Sequence, residues 1–263
     1  MIRAFASFAL LIAPVAVAAQ PLPEDPLGSP MWAHHGARIF GSDKAVFDDR
    51  VIVTVPMLAE NQHVLPVTID ARAIKDVRRI VLFADLNPIP IAIDYTPMQA
   101  QPFVATRIKL DQRTPVRAAV QTADGTWHVA GQWVDAAGGG CSAPPVSRVK
   151  GDWADHLGEM RGARWQDDAG TRVRVSFRHP MDTGLVENIP AYNIETLKLT
   201  GADGAALAQM QVFGSVSEDP SFTLMLDGMA QGEINVTARD TSGLEFSGLL
   251  APGMGARIAA ARQ

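Results

Sequence analysis

A run of short segments rich in Val and Ile, each bounded by turn residues, dominates residues 50–134. The segments read RVIVTVP, HVLPVTI, RRIVLFAD, PIAIDY, FVATRIKL, PVRAAVQT and WHVAGQWV. Segments of this length and composition, separated by Pro, Asn, Asp and Gly, are typical of β-strands. Asp124-Gly125 lies between the last two and is a strong signal for a hairpin turn. No helical periodicity runs for more than two turns here, so the pattern predicts a β-sandwich of immunoglobulin-like size.

The second half of the chain returns to the same kind of pattern. TRVRVSFRHP alternates cleanly, which predicts a strand with one buried and one solvated face. The two faces carry Val173, Val175 and Phe177, and Arg172, Arg174 and Arg178, respectively. SFTLMLDG and GEINVTARD predict further strands. The sequence therefore predicts an all-β fold of two immunoglobulin-like β-sandwich domains, residues 46–136 and 152–263, joined by a Gly/Pro linker at residues 137–151.

The N-terminal forty-five residues contain two different segments. Residues 1–19 have a positive charge at Arg3, an apolar run and a small-residue cleavage site near Ala18 or Ala19. That arrangement predicts a secretory signal peptide, hence an exported protein of the periplasm. Residues 20–45 are expected to form an arm, in which MWAHHGARIFG folds as a short helix that docks Trp32 and Phe40 on the following domain.

Charge and hydropathy exclude two classes of partner. The formal net charge is -5, and no basic patch or stripe stands out, which argues against nucleic acid. The N-terminal apolar run is too short to span a bilayer, and no stop-transfer segment follows it, so no membrane insertion is expected.

Cys141 is the only cysteine of the chain and lies in AAGGGCSAPP. A single cysteine excludes an internal disulfide, and in an exported protein it indicates a mixed disulfide or a free reactive thiol. Gly138, Gly139 and Gly140 precede it and prolines follow it, with no apolar periodicity to bury the side chain. The sequence therefore predicts a solvent-exposed thiol, modestly helped to ionise by Arg148 and Lys150 if the loop folds back.

Three interpretations of Cys141 remain open at this point. A cysteine hydrolase or transferase needs a base, for which His128, His156 and His179 are candidates, but a Gly-rich linker lacks the rigid placement that catalysis needs. A metal carrier would combine Cys141 with His or Met, yet the ten methionines are scattered and no metal-ligand spacing appears. A non-enzymatic docking module would use the two sandwiches without thiol chemistry. No metal and no cofactor is predicted.

Several stretches resemble two known families, in order and spacing. MLAENQHVLPVTIDA, DLNPIPIAIDY, RIKLDQRTPVRAAVQTADG and the following Gly-Gly-Cys resemble SoxY, the sulfur-carrying subunit of bacterial thiosulfate oxidation. VSFRHPMDTGL, IPAYNIETLKL, SEDPSFTLML and GEINVTARDTSG resemble SoxZ, its partner subunit, which lacks the carrier cysteine. The resemblance covers Val46 to about Pro252. The whole chain is similar to the fused SoxYZ-like carrier proteins associated with quinoprotein dehydrogenases.

The resemblance implies that the chain is a carrier and not itself an enzyme. It makes Cys141 the covalent attachment point for a sulfur-containing intermediate and matches Gly138, Gly139 and Gly140 to the glycines of the carrier arm. It implies partners among periplasmic oxidoreductases, of a sulfur-oxidising or a quinoprotein dehydrogenase system, and a SoxY–SoxZ pairing within one chain. It also implies a pathway of thiosulfate or alcohol oxidation without deciding between them.

The sequence departs from the SoxY pattern after the cysteine. Residues 142–145, Ser-Ala-Pro-Pro, stand where a terminal Gly-Gly is expected, so that a free chain end becomes an internal loop. About eight residues on each side of Cys141 can reach roughly 25 Å at most. Such a loop enters a partner as two strands of chain, which requires an open cleft.

Overall fold

The computed structural model describes residues 21–167, 170–228, 232–252, 257–258 and 261–262. The expected signal peptide, residues 1–19, lies outside these residues. The described elements, in chain order, are α1 (Trp32–Ile39), β1 (Ala45–Phe47), β2 (Ile52–Thr54), β3 (Leu58–Ala59), β4 (Leu65–Asp70), β5 (Val77–Ala84), β6 (Ile91–Thr96), β7 (Ala100–Ile108), β8 (Thr114–Thr122), β9 (Trp127–Ala136), α2 (Val146–Lys150), β10 (Met160–Asp167), β11 (Gly170–Phe177), β12 (Ile194–Gly201), β13 (Ala206–Val212), β14 (Ser221–Leu226), β15 (Ile234–Asp240), β16 (Glu245–Leu250), β17 (Arg257–Ile258) and β18 (Ala261–Arg262). The all-β prediction is confirmed.

The strands form two sheets, and each sheet runs through both halves of the chain. One has the order β1-β9-β8-β5-β6-β13-β12-β15-β16-β18, with β3 also paired to β9; the other has the order β17-β10-β11-β14-β7-β4-β2. Except for the parallel pairs that β1 and β3 make with β9, the described pairs are antiparallel. The predicted hairpin at Asp124-Gly125 joins β8 to β9, and Gly125 adopts a φ of +86° there.

The two halves meet through strand pairing. Strand β6 pairs with β13, where Ile93 lies opposite Val212, and β7 pairs with β14, where Val104 lies opposite Leu224. One large core of buried side chains draws on both halves and on both sheets. Because edge strands of one half hydrogen-bond to edge strands of the other, both sheets are continuous across the two halves.

Strand β11 shows how the sequence pattern positions this core. Val173, Val175 and Phe177 are each at most 2% exposed, while Arg172 and Arg174 on the opposite face are exposed. The alternation predicted from the sequence is therefore confirmed, since successive side chains of a strand point to opposite faces of its sheet.

The N-terminal arm docks on the outer face of the first half. Helix α1 buries Trp32 and Phe40 in a second core, as the sequence predicts. Beneath the arm, the guanidinium of Arg117 is fully buried and pairs with Asp25 at 2.7 Å and with Asp85 at 3.0 Å. This buried ion pair ties residue 25 of the arm to strand β8. Among the described residues, no helix has both the length and the hydropathy to cross a bilayer.

Candidate functional site

The glycine-rich segment between β9 and α2 is packed against the first half of the chain. Gly138 and Gly139 have φ values of +105° and +85°, in the left-handed region that favours glycine. The amide of Gly140 donates to the carbonyl of Leu110 at 3.1 Å. A Cβ at position 140 would lie 2.3 Å from the Leu110 carbonyl oxygen and 2.4 Å from that of Gln62. Only glycine lets the backbone approach this closely.

The predicted exposure of Cys141 is wrong: its residue surface is 0% exposed. The segment is held by hydrogen bonds rather than by an apolar pattern. The Oδ1 atom of Asp111 accepts from the amides of Cys141 and Ser142, at 3.0 and 3.1 Å, and from the Ser142 hydroxyl at 2.9 Å. From the second half of the chain, the Thr183 hydroxyl donates to the Cys141 carbonyl at 2.6 Å. We call residues 138–145 the docked loop and the contacts of Asp111 and Thr183 its latch.

Lys109, next to the latch, supplies a buried positive charge near the thiol. It is 3% exposed, and its Nζ donates to the carbonyls of Met181 and of Gly214, the latter at 3.0 Å. Burial lowers the pKa of Lys109 to about 8, although the charge of an ionised Cys141 acts to raise it. Burial also raises the pKa of the Cys141 thiol to about 12; the charge of Lys109 opposes this rise and that of Asp111 adds to it. The docked cysteine is therefore a neutral thiol, and it is the thiolate that reacts as a nucleophile.

The far end of the loop is fixed by a second charged contact. Nε of Arg148 donates to the Asp182 carboxylate at 3.0 Å, and its guanidinium lies 3.8 Å from the ring centroid of Trp153. Asp182 is 1% exposed and exchanges backbone hydrogen bonds with Tyr192 in both directions. Arg148 therefore pairs with Asp182 and not with the thiol. The cation that acts on the thiol is Lys109.

Comparison with protein families assigns both halves of the chain. Residues 37–141 match the family model of the sulfur oxidation protein SoxY, and residues 160–250 match that of the sulphur oxidation protein SoxZ. The chain is a fused SoxYZ-like protein. Its SoxY match ends at Cys141, and its SoxZ match contains Thr183, so each half contributes one side of the latch.

One solved structure similar to the SoxY half is that of the sulfur carrier protein SoxY from Chlorobium limicola f thiosulfatophilum. It is 23% identical, with a TM-score of 0.36, and the alignment covers 40% of this chain and 96% of that one. No curated protein matches the chain.

The three histidines considered as bases each have another partner in this fused SoxYZ-like protein. The contacts are His128 Nδ1 with Asp48 at 2.7 Å, His156 Nδ1 with Glu159 at 2.7 Å, and His179 Nδ1 with the amide of Met181 at 3.1 Å. Within the described ranges, no cluster of three or more His, Cys, Asp or Glu side chains is arranged to hold a metal ion. His34 is exposed and His35 is buried, so the adjacent pair points in two directions, as expected.

Sequence reasoning missed the residues that hold the cysteine. Lys109, Leu110 and Asp111 are consecutive, and all three act on the loop, through a charge, a carbonyl and a carboxylate. They lie in RIKLDQRTPVRAAVQTADG, one of the stretches that resemble SoxY. That resemblance was the available signal, because alternation along β7 ends at Ile108 and indicates nothing about the residues that follow it.

Proposed function

We propose that the chain is a periplasmic carrier protein that holds a sulfur-containing intermediate covalently on Cys141 and presents it to partner enzymes. SoxY and SoxZ are sulfur oxidation proteins, which supports the carrier role as a class. The observation that supports covalent attachment is the position of Cys141: it is the only cysteine, it ends the SoxY match, and both halves hold its loop.

The surroundings of the loop support contact with a partner protein. Met57, Leu58, Val146 and Leu185 are large apolar side chains exposed by 46–77%. Leu58 is paired with Asp135 just before the loop, Val146 follows the loop directly, and the amide of Leu185 donates to the latch hydroxyl of Thr183. Exposed apolar side chains gathered around one segment are typical of a protein interaction site. A partner seated there would contact both halves and the loop together.

Intact-mass measurement of the protein isolated from its native host without reductant tests the proposal. We expect adducts of sulfur-containing mass on the wild type, removed by reductant, mapped to the Cys141 peptide, and absent from Cys141→Ser. A bare thiol mass under every growth condition that activates the host pathway would contradict the proposal. N-terminal sequencing of the exported protein checks the compartment, with a mature start near residue 19 or 20.

A second function is favoured by one specific observation, the burial of the thiol. A non-covalent docking or accessory module for a periplasmic quinoprotein dehydrogenase has no need for an accessible cysteine, and Cys141 is fully buried with a raised pKa. Activity of Cys141→Ser in the host separates the two. Full activity favours the docking module, whereas loss of activity in a correctly folded variant favours the carrier.

A further inference from the structure

The docked loop surrounds Cys141 closely enough to leave its side chain with no exposed surface. The neighbouring position shows how tight the packing is, because a single Cβ at residue 140 would come within 2.3–2.9 Å of three backbone atoms of Leu110 and Gln62. A sulfur-containing group on Sγ adds several heavy atoms to a side chain that is already fully buried. Extra atoms in a filled interior force side chains and backbone to shift.

Desolvation acts in the same direction as size for an oxidised, anionic sulfur group. Burial raises the pKa of the Cys141 thiol and the Asp111 carboxylate adds to this rise, whereas the Lys109 ammonium, which also donates to two carbonyls, opposes it. An anion on Sγ would be desolvated beside a carboxylate, and burying an ion without a full set of partners is strongly unfavourable.

The loop can open locally while the sandwich stays folded. Its described hydrogen bonds to the domain go to Leu110, Asp111 and Thr183, and Ser142, which makes two of them, is exposed. Segments with few buried contacts open locally far more often than core strands do. Both ends stay anchored, at Ala136 by its pairing with Ala59 and at Arg148 by Asp182.

We propose that the loop of residues 138–145 is docked only while Cys141 is a free thiol, and that an adduct on Sγ releases it from Asp111 and Thr183. This rests on Cys141 being the attachment point of the carrier. Loading would then expose the loop, so that a partner distinguishes the loaded carrier from the empty one by the position of the loop. Cys141 is five positions along the chain from the anchor at Ala136, which limits the reach of the released thiol to roughly 17 Å.

Synthetic adducts test this without knowledge of the native cargo. Methyl methanethiosulfonate transfers a methylthio group: the thiolate forms a disulfide with the sulfenyl sulfur, methanesulfinate leaves with the electron pair, and the thiol proton goes to solvent. The sulfonatoethyl analogue transfers a larger, anionic group by the same reaction. Hydrogen exchange of the Cys141 and Ser142 amides reports docking, because both donate to Asp111 in the docked loop.

With either adduct, we expect these two amides to exchange at least about tenfold faster than in the free-thiol protein, while amides of the β5–β8 pair keep their protection. Asp111→Ala should release the loop with no adduct present. Asp135→Ala is the matched control, because it removes an exposed carboxylate on β9, paired with Arg113 just before the loop. Cys141→Ser exposed to the same reagents controls for direct effects of the reagent.

Unchanged protection of the Cys141 and Ser142 amides in protein carrying either adduct overturns the proposal, since the site would then accommodate its cargo. That result would leave the carrier function intact, because cargo could still be attached and exchanged. Conversely, release by synthetic adducts in a protein that never carries an adduct in its host would uphold the switch and remove the carrier function.

Discussion

Gly140→Ala is expected to displace the docked loop, because the added methyl group would overlap with backbone atoms. Its carbon would lie 2.3 Å from the Leu110 carbonyl oxygen, 2.4 Å from that of Gln62 and 2.9 Å from the Leu110 amide nitrogen. All three are backbone atoms. The Leu110 amide also donates to the Gln62 carbonyl at 2.8 Å, so these atoms are themselves held in place. The loop therefore has to move outward by about 1 Å to restore ordinary contact distances near 3.4 Å.

A movement of that size breaks the bond from Gly140 to Leu110 and strains the bonds of Cys141 and Ser142 to Asp111. Overpacking of this kind costs about 1–3 kcal/mol. Because each 1.4 kcal/mol is a factor of ten in an equilibrium constant, the population of the released loop should rise by roughly 5- to 150-fold. The backbone conformation adds no further strain, since Gly140 is absent from the glycines with positive φ.

The rate of reaction of the folded protein with a thiol reagent measures this population, because the docked thiol is buried and reacts through release. Gly140→Ala should react faster by the factor given above, with an unchanged far-ultraviolet spectrum. Gly201→Ala is a suitable control, because the one close contact of its added carbon would be with the Asp203 side-chain carboxylate at 2.8 Å, and the nearest backbone atom would lie at an ordinary 3.9 Å. Equal reaction rates in Gly140→Ala and wild type would refute the reasoning, and with it the docked position of the loop.

Three further predictions concern stability. Lys109→Met leaves the Met181 and Gly214 carbonyls without their donor, and urea denaturation should show a loss of about 1–3 kcal/mol for each carbonyl left unsatisfied. The pKa of the folded Cys141 thiol is raised to about 12 from the 9.0 of a free thiol, so the contribution of the neutral thiol to folding stability is fully present below pH 9 and lost as the pH rises towards 12. The stability difference between wild type and Cys141→Ser should therefore shrink by up to about 1.4 kcal/mol per pH unit in that window. A constant difference would contradict thiol burial. Arg117→Ala leaves the carboxylates of Asp25 and Asp85 buried without their cation, and thermal unfolding should show a loss of about 3–5 kcal/mol, whereas a loss below 1 kcal/mol would contradict the buried ion pair.

The strands were predictable because their determinants are local. Val173, Val175 and Phe177 alternate with arginines within one segment, and that alternation alone fixes which face is buried. The docking of helix α1 was predictable for a similar reason, since Trp32 and Phe40 fall on one face of a short apolar segment. In each case the residues that specify the structure lie within about ten positions of each other.

The burial of Cys141 was not predictable because its determinants are distant and polar. Asp111 is thirty residues before Cys141 and Thr183 is forty-two residues after it, and neither position belongs to a periodic pattern. A segment of Gly, Ser and Pro forms no apolar core of its own, but it offers backbone amides and carbonyls to partners elsewhere in the fold. Composition therefore drew attention to Cys141 and failed to predict its environment.

The continuity of the two sheets explains how a loop at the boundary between the halves can be held at all. Thr183 and the carbonyls that receive Lys109 belong to the SoxZ half, whereas Asp111 and the cysteine belong to the SoxY half. Their relative positions are fixed by the β6–β13 and β7–β14 pairs, so the Thr183 side of the latch exists only while those strands are paired. Covalent fusion raises the effective concentration of one half for the other to the millimolar range, which keeps even a modest interface closed. The environment of the thiol is therefore in part a property of the assembled pair, and a change that separates β6 from β13 removes the Thr183 contact from the loop even though it alters no residue of the loop.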